Sequence, residues 1–372
     1  MVDYSAIKLN ESSFDKLPAR LRYNGLVADY YRTYADELKH DNFSRDYFER
    51  LYKNADLVEN CSKYWEVDYY RLQRVKSLEK VNLCRDKFCV NCQSVLANAR
   101  LHKFEPIIKD VWKTNKIFHC VFTVENCKGF VLKNVIKKMY KSFGYFVRYL
   151  NGRAKIRGLK FDYLGFKGGV RSLELTYNKE DDTYHPHFHC LLAFSKNLNL
   201  DKKFLNKFSY SKYSDEVRYF SQEEILFQKI WYLLNIGEKV NHINIDNVDL
   251  GYSVACDEAK ETDMHEVFKY ALKADFDKDV CLGFEQFKLY RESLLNLRII
   301  QGYGNFLNYE FETNDFSAVE LDVAIQEYKA QLRLVENPVR VYEQADILVD
   351  NIKSGKWNYI TSGSIKKFIL ED

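Results

Sequence analysis

The sequence predicts an α+β protein in which an antiparallel sheet core is flanked by helices, with a small cysteine-rich lobe and helical N- and C-terminal parts. Three observations predict it. Residues 172–177 and 184–192 read as strands and are separated only by the polar run Asn178, Lys179, Glu180, Asp181, Asp182 and Thr183, the pattern of a hairpin. Residues 132–150, 222–236 and 264–276 carry apolar positions at helical spacing. Strands and helices alternate without the long apolar runs of a parallel sheet, which favours an antiparallel core.

The chain has 372 residues, enough for one large domain or two to three smaller ones, and its 46% hydrophobic and 29% charged content is that of a globular protein. No window approaches the roughly 18 uninterrupted apolar residues of a membrane span, so no membrane partner and a cytoplasmic location are expected. Nine cysteines, an odd number, in such a compartment favour reduced thiols and metal ligation over disulfides.

Residues 1–55 read as a helical N-terminal region, with Tyr47, Phe48, Leu51 and Tyr52 at helical spacing. Residues 56–100 form a cysteine-rich lobe. A larger core follows over 101–305, and 306–372 form an acidic C-terminal region. Charge is unevenly placed: 101–170 hold fifteen Lys and Arg against four Asp and Glu, while 310–372 hold seven against twelve. The basic block is interleaved with Phe118, Phe122, Phe130, Tyr140, Phe143, Tyr145 and Phe146, which suits a surface that neutralises phosphates and stacks bases. Charge alone favours a helix with a solvated lysine face, so the neighbouring motifs have to decide.

In the lobe, Cys61 precedes Cys84, Cys89 and Cys92, the last two in a CxxC. Four thiolates suit a closed tetrahedral Zn2+ site. The wide gap after Cys61 leaves two readings for it, fourth ligand or buried apolar residue. Cys120, Cys127, Cys190, Cys256 and Cys281 have no ligand spacing and are expected to pack.

The core opens with a largely buried strand over 117–124, in which His119 has no ligand partner at strand spacing and reads as a satisfied histidine. Further along, Tyr184-His185-Pro186-His187-Phe188-His189-Cys190 places His187 and His189 on one face of a strand and Phe188 on the other. If the six-residue turn closes symmetrically, Tyr177 lies opposite Tyr184 and Glu174 opposite His187. Opposed residues share a face, so two imidazoles and one carboxylate would form an open site for a divalent ion that polarises a phosphate. A one-residue slip would turn Glu174 away. A cupin-like oxygenase would want a carboxylate soon after the histidines, and Leu191, Leu192, Ala193 and Phe194 stand there instead. His185, ahead of a proline, reads as a supporting or DNA-contacting group.

On the helix over 264–276, Glu266 and Tyr270 lie four residues apart on one face, and Lys273 three further along. A tyrosine hydroxyl beside a polarised phosphodiester can attack phosphorus, and a neighbouring carboxylate can position water. With 28 tyrosines in the chain, spacing alone does not single out Tyr270.

His187-Phe188-His189, with Glu174 before it and Lys269-Tyr270-Ala271-Leu272-Lys273 after it, resembles the rolling-circle replication initiators of Gram-positive plasmids, within the His-hydrophobic-His endonucleases. The resemblance spans about residues 55–305, with the motifs in the family's order. It implies that His187, His189 and Glu174 hold Mg2+ or Mn2+, and that Tyr270 nicks one strand of a plasmid origin, single-stranded at the nick site, keeping its 5′ phosphate. It also implies that Glu266 supports hydrolysis at the end of a round, and that a host helicase and polymerase take part. The family's cysteines lie at similar places; here Val90 follows Cys89, and Gln93-Ser94 follow Cys92, where the family usually has proline and an arginine pair. No GxxxxGK[ST] run supplies an ATPase, so unwinding falls to a partner. The expected activity is a metal-dependent nicking and closing DNA endonuclease. A transposase or relaxase of the same class, or a zinc-containing DNA-binding protein with a dead nuclease site, are the alternatives.

Overall fold

A computed structural model describes residues 16–41, 44–205, 218–249, 251–268, 282–307 and 316–361. In chain order the elements are α1 (Leu17–His40), α2 (Arg45–Glu59), β1 (Tyr64–Tyr70), β2 (Val75–Val81), α3 (Val90–Thr114), β3 (Asn115–Thr123), α4 (Gly129–Leu150), β4 (Gly168–Asn178) and β5 (Thr183–Ser195). Then come β6 (Phe204–Leu205), β7 (Tyr219–Phe220), α5 (Gln222–Ile236), α6 (His242–Asp246), β8 (Val254–Glu258), α7 (Glu261–Phe268), α8 (Phe284–Ser293) and β9 (Ile300–Gly304). The last described elements are α9 (Phe316–Val335), β10 (Val339–Gln344), α10 (Ala345–Lys353) and β11 (Asn358–Thr361). The protein is α+β, and its chain divides into two compact units.

The first unit draws on residues 1–99, 274–284 and 311–372. Its sheet has the order β10-β1-β2-β11, antiparallel except for the parallel pair β11–β2. One apolar cluster, Leu17, Trp65, Val67, Leu78, Leu348, Val349 and Ile352, ties α1 and α10 to this sheet. The other face meets α9, where Leu332 joins Tyr70, Val75 and Ile360. Charged strand residues are paired: Arg340 of β10 donates to both oxygens of Asp68 on β1, the buried Lys76 of β2 to Glu343 of β10 at 2.7 Å, and Lys329 of α9 to Glu79 of β2. Strands thus enter the C-terminal region alongside α9 and α10.

The second unit, residues 100–273 and 285–310, holds the antiparallel five-stranded sheet β8-β3-β5-β4-β9. Alternation sorts its side chains. Phe118 and Phe122 of β3, Phe188 of β5 and Leu173 of β4 face one way, and α4 and α5 cover them. Phe122 meets Phe143, Phe146 and Trp231 edge to face at 5.0–5.4 Å, the T-shaped geometry that the ring quadrupoles favour. α5 starts at a capping box between Ser221 and Glu224 and stops at Gly237 in the left-handed region. Trp231 and Gln228 then anchor it to the carbonyls of Thr123 and Val254. The close pairing of β4 and β5 depends on Gly169, where a Cβ would stand 2.4 Å from the Leu191 carbonyl oxygen.

A candidate metal centre

On the sheet face away from α4 and α5, β4 and β5 meet in the register Tyr177↔Tyr184 and Glu174↔His187, the pairing that a symmetric turn dictates. Glu174 and His187 are buried, at 3% and 8% exposure, and His189 is half-buried. The Nε2 atoms of both histidines converge on the carboxylate: His187 lies 3.7 Å from Oε1 and His189 3.2 Å from Oε2. One donor atom from each of the three falls within 4.8 Å of the others. Ligands about 2.1 Å from a six-coordinate ion stand about 3 Å apart, so this set fits a small divalent cation with few adjustments.

The far nitrogens are occupied. His187 donates from Nδ1 to the His185 carbonyl oxygen at 3.1 Å, which fixes its tautomer and leaves Nε2 free to ligate. Burial also pushes the His187 imidazole down to about 4, so the ring stays neutral, the form a cation needs. His185 therefore acts on the site through its backbone, and its ring stacks on His187 at 4.9 Å.

His189 is held by a residue to which the sequence assigns no ligand partner. Its Nδ1 lies 3.1 Å from His119 Nε2, and the two rings stack at 5.3 Å. His119 in turn presents Nδ1 to Asp263 of α7 at 3.8 Å. Burial pushes His119 below its ordinary range, against the opposing pull of Asp263, Asp257 and Glu266. The same helix thus brings Asp263 and Glu266, one turn apart, to the histidine face. Glu266 is half-buried. Tyr270 and Lys273 lie outside the described residues.

In the first unit Cys61, Cys84, Cys89 and Cys92 bring their sulfurs within 4.8 Å of one another. Cys61 and Cys84 stand 3.5 and 3.6 Å from Cys92. Zinc–sulfur bonds of about 2.3 Å in a tetrahedron separate the sulfurs by about 3.8 Å, so the four thiols fit zinc closely. Backbone amides support them: Arg85 N donates to Cys92 at 3.1 Å, and Cys92 N to Cys89 at 3.5 Å. Asn24, wholly buried on α1, donates from Nδ2 to Cys89 Sγ at 3.2 Å and accepts from Val90 N at 3.2 Å. Nothing in the local cysteine pattern points to Asn24, which comes from 65 residues upstream. Cys120, Cys190 and Cys256 are buried and stand in register across β3, β5 and β8, and Cys281 lies outside the described residues.

The sequence profile of a family described as replication protein matches residues 75–343. A protein named "Protein rep" from Staphylococcus aureus is 34% identical over 152 residues, which cover 40% of this chain and 62% of that protein. A "Protein rep" from Bacillus sp is 29% identical over 150 residues, 39% of this chain and 45% of its own length. A third, from Bacillus amyloliquefaciens, is 24% identical over 266 residues, 68% of this chain and 71% of its own length. The chain therefore spans less than two thirds of the first two relatives. No solved structure matches.

Proposed function

The chain belongs to the replication-protein family, and from that premise we propose that it initiates rolling-circle replication of a plasmid by nicking one strand of the origin. The observation that carries this reading is the convergence of His187 Nε2 and His189 Nε2 on Glu174, with both Nδ1 atoms engaged elsewhere. A buried carboxylate between two imidazoles that are each bonded through the far nitrogen is an arrangement made for a cation.

His187, His189 and Glu174 would hold Mg2+ or Mn2+, whose chemistry is to polarise the scissile phosphate. Tyr270 is the nucleophile of this reading. Its hydroxyl oxygen bonds to phosphorus, its proton leaves, and the bond to the 3′ oxygen breaks, so that a free 3′ hydroxyl is released and the 5′ phosphate stays on the tyrosine. Glu266, on the helix that meets the histidine face, takes the proton of a water that later attacks the phosphotyrosine. Lys273, three residues after Tyr270 in the sequence, offsets charge on the phosphate. Single-stranded DNA at the origin is the substrate, with a host helicase and polymerase continuing the round. The four cysteines hold a structural Zn2+ in the first unit.

The test is incubation with Mn2+ and a supercoiled plasmid carrying the cognate origin. Nicked circles bearing covalently attached protein are expected. Tyr270→Phe should abolish attachment while leaving origin binding intact, and Glu266→Ala should still nick but release product poorly. Nicking by Tyr270→Phe at the wild-type rate would overturn the reading.

A further inference from the structure

Part of the basic block of the sequence lies on α4, which packs behind the sheet, away from the histidines. α4 carries Lys133, Lys137, Lys138, Lys141 and Arg148 and not one acidic residue. Lys133, Lys137 and Lys141 follow at i, i+4 and i+8, about 6 Å apart along the helix, and Tyr145 and Arg148 continue the stripe, the arginine about 10 Å beyond Lys141. These side chains are exposed. None has an ion-pair partner among the described residues, whereas many other lysines and arginines of the chain do. Arg153, Lys155, Arg157 and Lys160 extend the surface beyond the helix, and all four are exposed.

The opposite face of α4 fixes where this stripe sits. Ile136, Met139, Phe143, Phe146 and Val147 are buried, and Phe143 meets Phe188 at 5.4 Å. Phe188 is the β5 residue between His187 and His189, so it points to the other side of the sheet from them. A helix with its side chains is about 10 Å thick. The lysine stripe is therefore separated from the metal cluster by the sheet and by the helix itself, and a strand seated at His187 and His189 cannot also lie on it.

We propose that the exposed face of α4, with the loop that follows it, is a second nucleic-acid surface that grips the backbone of duplex DNA flanking the nick. The inference rests on the nicking reading for its biological sense, but its physical content is independent of that reading. Three evenly spaced lysines on a rigid helix, with no ion-pair partner among the described residues, complement the regular spacing of phosphates and carry no base readout. An amphipathic basic helix also suits an anionic membrane, but the apolar face that would insert is spent on the sheet. Single-stranded DNA belongs to the histidine face, where the bond to be cut must lie.

The experiment compares the full chain with the triple variant Lys133→Ala, Lys137→Ala, Lys141→Ala. Binding is measured to a 30-base-pair duplex of arbitrary sequence, a single-stranded 20-mer and phosphatidylglycerol vesicles over a range of salt. The variant should bind the duplex at least tenfold more weakly, with the slope of log affinity against log salt shallower by about 2.7, roughly 0.9 for each phosphate contact removed. Thermal unfolding, Mn2+ affinity by electron paramagnetic resonance and 20-mer binding should be unchanged. An unaltered duplex affinity or slope would overturn the surface, as would an equal loss on the 20-mer, or wild-type binding confined to vesicles. If the wild type cleaves no DNA with Mn2+ yet loses duplex affinity in the variant, the nicking reading fails and the surface stands.

Discussion

His119 decides how well His189 can serve the site. For His189 Nε2 to face a cation, its proton has to sit on Nδ1, and the atom placed to accept it is His119 Nε2 at 3.1 Å. The proton of His119 then sits on Nδ1, toward Asp263. A carboxylate, a neutral imidazole and a ligand imidazole thus form a chain that orients the last of them. His119→Phe keeps a ring to stack on His189 but removes the acceptor, and it should raise the Mn2+ dissociation constant on the order of tenfold. His119→Gln restores an acceptor and should recover much of the loss. Electron paramagnetic resonance of free Mn2+ reads both, and three equal constants would show that the contact does not position the ligand. His187 and His189 are legible in the sequence because strand alternation is local. His119 is not, because its partner lies 70 residues away and only the pairing of β3 with β5 brings them together.

At the scale of elements, what the sequence reveals follows from how local each element's determinants are. The β4–β5 hairpin is legible to the register because the polar run 178–183 folds symmetrically, Asn178 pairing with Thr183, and α5 because Ser221, Glu224 and Gly237 mark its ends. The sheet of the first unit is not legible. β1, β2 and β10 carry Glu66, Asp68, Lys76, Lys80, Arg340 and Glu343, which read as solvated surface until the strands pair them. Lys76 and Glu343 are the extreme case. Burial pushes the lysine down to about 8 and the carboxyl up to about 7, while Tyr69 and Trp357 lie 4.2 and 5.2 Å from the ammonium. Desolvating both groups opposes the attraction between them, so the pair adds little net stability, but either charge left alone would be costly. Lys76→Met should therefore destabilise the first unit by about 3–5 kcal/mol, and adding Glu343→Leu should return most of it. Urea unfolding of the two variants checks this, and a double variant no more stable than the single would refute the argument.

For the whole molecule, the acidic C-terminal region looks peripheral in the sequence, yet it supplies both edges of the first unit's sheet. β10 pairs with β1 and β11 with β2, joining residues more than 250 positions apart. Without them β1 and β2 form an isolated hairpin, which is marginal in water, and Trp65, Val67 and Leu78 lose the cover of Leu348, Val349 and Ile352. The same unit holds the four cysteines and Asn24, so its loss should reach the thiol cluster. The histidine cluster depends on none of this, because β3, β4, β5 and α7 all lie in residues 100–273. A chain ending at residue 310 should accordingly be purified with little zinc and expose apolar surface to a hydrophobic dye, while keeping Mn2+ affinity close to that of the full chain. Metal analysis and Mn2+ titration of the same preparation separate the two units. Full zinc content in the shortened chain would mean that the cysteines fold without the sheet edges, and loss of Mn2+ binding alongside zinc would mean that the second unit is not independent of the first.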